Sequence, residues 1–154
     1  MYKRILVALD GSPLAEQVLP HVDALVAKFG SRVTLVRTIS SRKKIIAAGT
    51  PFTFVNPTPI IEAEREEAEA YLAAWAKRLK SHGISVQYKC PEGSPAEVIV
   101  ELAHQLAIDL IAMTTHGRSG LARVLLGSVA AGVVQNTPCP VLLVHMREAG
   151  SEQR

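Results

Sequence analysis

The stretch from Ile108 to Val134 most limits what this chain can become. Ile108-Asp-Leu-Ile-Ala-Met113 is a short apolar run, the pattern of a strand buried in a parallel sheet. A segment carrying Gly117, Gly120 and Gly127 follows. From Ser128 onward Val129, Val133 and Val134 recur at helical spacing. Strand, glycine-containing loop and helix start, in that order, bring main-chain N–H groups and the positive end of a helix dipole to one place, where a phosphate chain can sit. The glycines permit positive φ or close main-chain approach, and Ser128 suits an N-cap and a hydroxyl donor. No Gly-Lys-Ser/Thr follows, so this is not a P-loop, and a dinucleotide fingerprint would need closely spaced glycines after the first strand. On these residues alone, turn chemistry and a phosphate cradle both remain open.

The rest of the chain repeats the same alternation. Arg4-Ile-Leu-Val-Ala-Leu9 reads as a strand buried on both faces, ended by Asp10-Gly-Ser-Pro13. Ser12 as N-cap and Pro13 as first helical residue open a helix whose apolar positions run from Ala15 to Phe29, with Gly30 as its cap. Pro20 lies inside that helix, leaves the Glu16 carbonyl without its usual donor, and predicts a kink. Asp10 stands at the carboxyl end of the first strand, where open α/β sheets bind ligands, although an Asp there also simply starts a turn.

Arg32 to Ile39 is the expected second strand. Residues 40–59, with Arg42-Lys-Lys44, Gly49, Pro51, Pro57 and Pro59, read as a long connection. Glu62 to His82 is the clearest helix, with Ala68, Leu72, Trp75 and Leu79 on one stripe, acidic residues at its start and basic ones at its end. Its glutamates form a charge-graded surface that needs no metal, and Trp75 is expected in the core. Ile84 to Lys89 alternates like an edge strand, and Ser94-Pro-Ala-Glu97 has the form of a capping box. Val141-Leu-Leu-Val-His145 is the fifth strand, with a disordered tail expected from Arg147.

With 154 residues, 48% of them hydrophobic and 20% charged, the chain suits a single globular domain. A net charge of +3, with no basic cluster interleaved with aromatics, argues against nucleic acid as a partner. Cys90 and Cys139 lie far apart, which suits free thiols in a reducing compartment, and no apolar run is long enough to span a membrane. A cytoplasmic location is expected. Strand and helix alternate to give a five-stranded parallel sheet with helices on both faces, a Rossmann-like α/β fold.

Several separated motifs together resemble the universal stress protein family. They are Lys3-Arg-Ile-Leu-Val-Ala-Leu-Asp-Gly-Ser12, Gly93-Ser-Pro-Ala-Glu97, His116-Gly-Arg-Ser-Gly120, Leu125-Leu-Gly-Ser-Val129 and Pro138-Cys-Pro-Val-Leu-Leu-Val144. The resemblance covers about residues 2–145 and implies a domain over 1–146 with strand order 3-2-1-4-5. It also implies a site for ATP with Mg2+ or Mn2+, formed by Ala8, Leu9, Asp10, Thr38, Met113, Thr114, His116, Gly117, Arg118, Gly120, Gly127, Ser128, Val129 and Ala130. In that picture Asp10 faces ribose and metal, and the main chain at Thr38 meets the adenine. The family's nucleotide-binding members carry Gly, two residues, Gly, nine residues, then Gly-Ser/Thr. This chain keeps Gly117 and Gly127-Ser128 but has Thr114 in place of the first Gly. The resemblance further implies a homodimer joined through residues 141–145.

Nothing in the sequence supplies a catalytic constellation. There is no nucleophile elbow and no H-E-x-x-H, the five histidines are scattered, and neither a general base nor an arginine finger can be named. Arg118 and Arg123 are the basic residues nearest the expected phosphates. Three functions follow: an ATP-binding regulatory module with an unknown protein partner, a nucleotide-free stress protein acting through protein contacts, or a slow ATPase.

Overall fold

The computed structural model describes residues 1–39, 56, 58–115 and 126–145. In chain order it comprises β1 (Arg4–Ala8), a 3-10 turn (Ala15–Val18), α1 (Leu19–Phe29), β2 (Arg32–Val36), α2 (Thr58–Ser81), β3 (Val86–Lys89), α3 (Pro95–Gln105), β4 (Leu110–Thr114), α4 (Ser128–Asn136) and β5 (Val141–Val144). The five strands pair in parallel in the order β3-β2-β1-β4-β5. The order implied by the resemblance is therefore the observed one. Among the described residues no helix is long and apolar enough to cross a membrane.

Successive strand residues face opposite sides, and this splits the core in two. Ile5, Val7, Val33, Leu35, Leu110 and Ala112 pack with Val18, Val22, Leu72 and Leu79 under α1 and α2. Leu6, Val36, Ile111 and Met113 pack with Ile99, Leu102, Ala130 and Val133 under α3 and α4. Each fully buried Leu, Ile or Val contributes about 1.5–3 kcal/mol relative to exposure, so both layers are required. Asp109 ties the sheet at its starting edge, its carboxylate accepting from the Lys3 and Arg4 main-chain N–H groups at 2.8 and 3.0 Å.

The expected elements are present, with shifted ends. The first helix does not start at Pro13. Residues 15–18 form the 3-10 turn, and Pro20 falls in the first turn of α1. The Glu16 carbonyl, which Pro20 cannot serve, accepts from the Leu19 N–H instead. A change of helix type thus takes the place of the expected kink. β2 ends at Val36, and Ile39 makes only an isolated bridge to Glu92. α2 begins at Thr58, ahead of Glu62, because Pro59 in a first turn loses no hydrogen bond.

Helix ends follow local chemistry. Gly30 caps α1 in the left-handed region, at φ 63°. At the end of α2, Ile84 N–H reaches Leu79 O (3.2 Å) and Gly83 N–H reaches Lys80 O (2.9 Å), the paired bonds of a Schellman stop. α3 ends the same way, but with Ala107 in the left-handed position at φ 48°. The Ser94 side chain makes no cap bond, so the expected capping box is absent. Pro95 already removes one first-turn donor, and the exposed Ser94 leaves this helix start open to water.

Candidate functional site

A crevice forms where β1 and β4 part company. Their pairing runs Ile5–Leu110, Leu6–Ile111, Val7–Ala112 and then stops. Beyond that point β1 stays with β2, through Ala8–Val36 and the 2.9 Å bond from Leu9 N–H to Val36 O. β4 stays with β5, through Thr114–Val144 and the 3.0 Å bond from Thr115 N–H to Val144 O. The two halves of the sheet separate at the topological switch point, at the carboxyl ends of the strands, where such folds take ligands.

Asp10 stands at the mouth on the β1 side. Its Oδ1 accepts from Ser12 N–H at 2.8 Å and Ser12 Oγ at 2.6 Å, while Ser12 Oγ accepts from Ala15 N–H at 3.1 Å. Gly11, at φ 84°, lets the chain make this turn. The turn-starting role expected of an Asp here is therefore realised, and it fixes the carboxylate in place. Ser12 Oγ thus serves the first residue of the 3-10 turn, whose N-cap is Leu14, and does not cap an α-helix.

The β4 side is closed at its base. Gly127 N–H donates to Thr115 O at 2.8 Å, and Ala131 N–H donates to Gly127 O at 2.9 Å. Gly127 is itself the N-cap of α4, with φ −65° and ψ 156°. This corrects two expectations. Gly127 does not use positive φ, and Ser128 is the first helical residue, not the cap. What Gly127 retains is the absence of a Cβ beside the helix start. The N–H groups of Ser128, Val129 and Ala130 lie in the first turn, beyond the reach of any carbonyl within the helix.

The remaining expected site residues divide clearly. Thr114 continues the β4 ladder opposite Val144 with ordinary extended backbone, and its side chain is 5% exposed. Leu9, Met113 and Ala130 are buried in the two core layers, so their contribution to a ligand is through the main chain. Ala8 packs against the α3/α4 layer, and Thr38 is half-buried just beyond β2. His116, Gly117, Arg118, Gly120 and Arg123 lie outside the described residues, as do Arg42-Lys-Lys44 and the tail from residue 146. His145 falls just past β5, its Nδ1 3.5 Å from Thr115 Oγ1.

Behind Asp10 lies a polar cluster that sequence patterning did not single out. Glu16 Oε1 accepts from Tyr71 Oη at 2.9 Å and from Trp75 Nε1 at 3.3 Å. The Arg37 guanidinium lies 5.3 Å from the Tyr71 ring centroid and pairs with Glu67 at 3.1 Å. Arg37 is only 3% exposed, and among the described residues its Nη1 has no hydrogen-bond partner. Burial first, then the bond to Glu16 and its charge, hold the Tyr71 proton well above the usual tyrosine range. Trp75 is half-buried beside the core, with Arg78 stacked on it at 5.0 Å. One signal for Arg37 was available. In β2 and just past it, Val33, Leu35 and Arg37 share one face, so an Arg stands where a third apolar residue belongs.

Asp10 is the one acidic residue expected at a metal. Among the described residues no group of three metal-binding side chains forms. A single carboxylate nonetheless suits Mg2+ that arrives on a polyphosphate, since Mg2+ keeps most of its ligands from water and phosphate. Cys90 and Cys139 are free thiols, and burial first, then Glu69, pushes the Cys90 thiol up, outweighing Arg37 and Arg65.

The model of the universal stress protein family matches residues 1–145. The chain belongs to that family. A universal stress protein of Methanocaldococcus jannaschii is 32% identical over 145 residues, 94% of this chain and 82% of its own length. The solved structure of the hypothetical protein MJ0577 superposes with a TM-score of 0.85 at 31% identity, covering 97% of this chain and 99% of that one. Two further solved members share the fold at lower identity. One is a universal stress protein in complex with cAMP (24%, TM-score 0.64, 94% of this chain and 97% of that one). The other is an Arabidopsis thaliana member with AMP bound (16%, TM-score 0.64, 98% and 95%). The chain therefore shares the family's fold.

Proposed function

We propose that this universal stress protein binds ATP with Mg2+ or Mn2+ in the crevice between β1 and β4 and acts as a regulatory module in the cytoplasm. The observation that carries the reading is the parting of β1 and β4 beyond Val7 and Ala112, with Asp10 on one side and the start of α4 on the other. Phosphates at Ser128, Val129 and Ala130 would meet first-turn N–H groups and the positive end of the helix. The cAMP and AMP complexes of more distant members lend support. Asp10 would take the ribose and the metal. Catalysis is not part of the proposal, since the described residues around the crevice offer no arranged base. Mass spectrometry of freshly purified protein should find ATP, and calorimetry with Mg2+ present should give saturable binding. Neither signal, at protein concentrations of tens of micromolar, would refute it.

Thr114 favours a second reading. A buried Thr stands where nucleotide-binding members have Gly, which suits a nucleotide-free protein acting through protein contacts. In either case we propose a homodimer through β5. That strand is half-exposed along its whole length and, among the described residues, pairs only with β4. An apolar edge of that kind is normally covered in solution. Light scattering should give twice the mass of one chain, and a monomer mass would refute this.

A further inference from the structure

A cavity of about 560 Å³ opens at the other edge of the sheet, where the strands begin. α1 ends there at Phe29, β2 starts at Arg32, and the chain leaving α2 turns through Gly83 into Ile84 ahead of β3. Its volume falls within the range of small-molecule sites, about 300–1,000 Å³. The crevice described above is at the opposite, carboxyl edge.

The lining is chemically two-sided. Asp23 contributes a carboxylate whose Oδ1 is buried and, among the described residues, without a hydrogen-bond partner. Such an oxygen is costly to leave unmet, and the soft rotation of a terminal carboxyl lets it turn towards a donor in the cavity. Arg32 and His82 line the same cavity and are exposed, and among the described residues the Arg32 side chain makes no ion pair. Val26, Ala27 and Ile84 complete the wall with apolar surface.

We propose that this cavity binds a free α-amino acid with an apolar side chain. The ammonium would donate to Asp23, aided by the negative ends of the α1 and α2 dipoles, both of which finish here. The carboxylate would meet Arg32, whose planar fork suits it. The side chain would lie on Val26 and Ile84. A plain anion would be opposed by Asp23, and a plain cation by Arg32. A zwitterion satisfies both.

The test uses the whole protein labelled with nitrogen-15 and titrated with L-leucine. The Gly30, Gly83 and Ile84 amides should shift and saturate, while Gly127 and Thr115 stay still. Two analogues on the wild type separate the charges: 3-methylbutylamine lacks the carboxylate, and 4-methylpentanoate lacks the amine. Each should bind at least about tenfold more weakly, as expected when one partner of a charged contact is removed. Asp23→Asn and Arg32→Gln should weaken leucine to a similar extent, and the analogues carry the test if either variant fails to fold. Absence of saturable shifts, equal binding of leucine and an analogue, or shifts at Gly127 instead would each overturn the proposal. ATP reports on the other edge, so the fate of the nucleotide reading does not decide this one.

Discussion

The Tyr71 hydroxyl donates to Glu16 Oε1 at 2.9 Å, joining the middle of α2 to the turn that follows β1. Trp75, from the same helix, shares that oxygen at 3.3 Å. The only tryptophan in the chain therefore rests on the segment that positions Asp10. Its fluorescence should report on ligand entering the crevice.

Tyr71→Phe should cost about 1 kcal/mol of stability at neutral pH, the loss of one half-exposed hydrogen bond. It should also change the alkaline limb. The folded protein holds the Tyr71 proton above the ordinary value of 10.0, chiefly through burial. Below that value both states keep the proton, and this contribution is fully present. As pH rises past it, the unfolded chain releases the proton first and stability falls. Denaturant unfolding from neutral pH to about 11 should show a shallower decline in the variant than in wild type. Parallel curves would sink the assignment.

Gly127→Val should abolish ATP binding while leaving the fold intact. The backbone there, at φ −65° and ψ 156°, suits a valine, so the damage falls on the space before the helix start. Calorimetry giving equal affinities for wild type and variant would place the phosphates elsewhere.

Thr114→Gly should tighten ATP binding by about 1 kcal/mol, the scale of one polar or steric contact. Thr114 pairs with Val144 at the end of β4, where an extended backbone accepts a β-branched side chain without distorting the strand. A wild type with no measurable affinity, turned into a strong binder by this one change, would favour the nucleotide-free reading.

Much of this was legible in the residues. Ile5 and Val7 against Leu6, or Val33 and Leu35 against Val36, are set by period-two alternation in strands covered on both faces. Gly30 and Gly83 announce their helix ends because few other residues accept positive φ. Features that depend on distant partners were not legible. Arg37 meets Glu67, 30 positions on, and Glu16 meets Tyr71 and Trp75, 55 and 59 positions on. No local pattern encodes such pairs. Ser94 and Glu97 show the opposite failure, since a local motif was present and the side-chain bond did not form.

Ala107→Gly should stabilise the protein by about 0.5–1 kcal/mol. Ala107 holds φ 48° to close the end of α3, a conformation costly for any residue with a Cβ, and the relief exceeds the extra freedom a Gly gives the unfolded chain. Thermal unfolding should show a higher midpoint, and a lower one would mean the methyl group does more in packing than it costs in strain.

Arg37→Met should be neutral or stabilising, by about 1 kcal/mol or more. The wild type buries a guanidinium whose Nη1 is unmet among the described residues, and its partner Glu67 is 68% exposed and strongly screened. Methionine fills similar volume without that desolvation. A loss larger than about 2 kcal/mol, outside what a screened pair can supply, would show that Arg37 has a stronger partner.

The bond from Gly127 N–H to Thr115 O has a consequence for how the family can diversify. It pins both feet of the glycine segment to the frame, one on the last turn of the sheet and one on the first turn of α4. Two feet held in this way accept inserted spans of different length between them. Doubling such a span costs only about 0.6 kcal/mol in closure entropy. Foreign segments grafted between residues 115 and 127 should therefore leave the register of the strands alone.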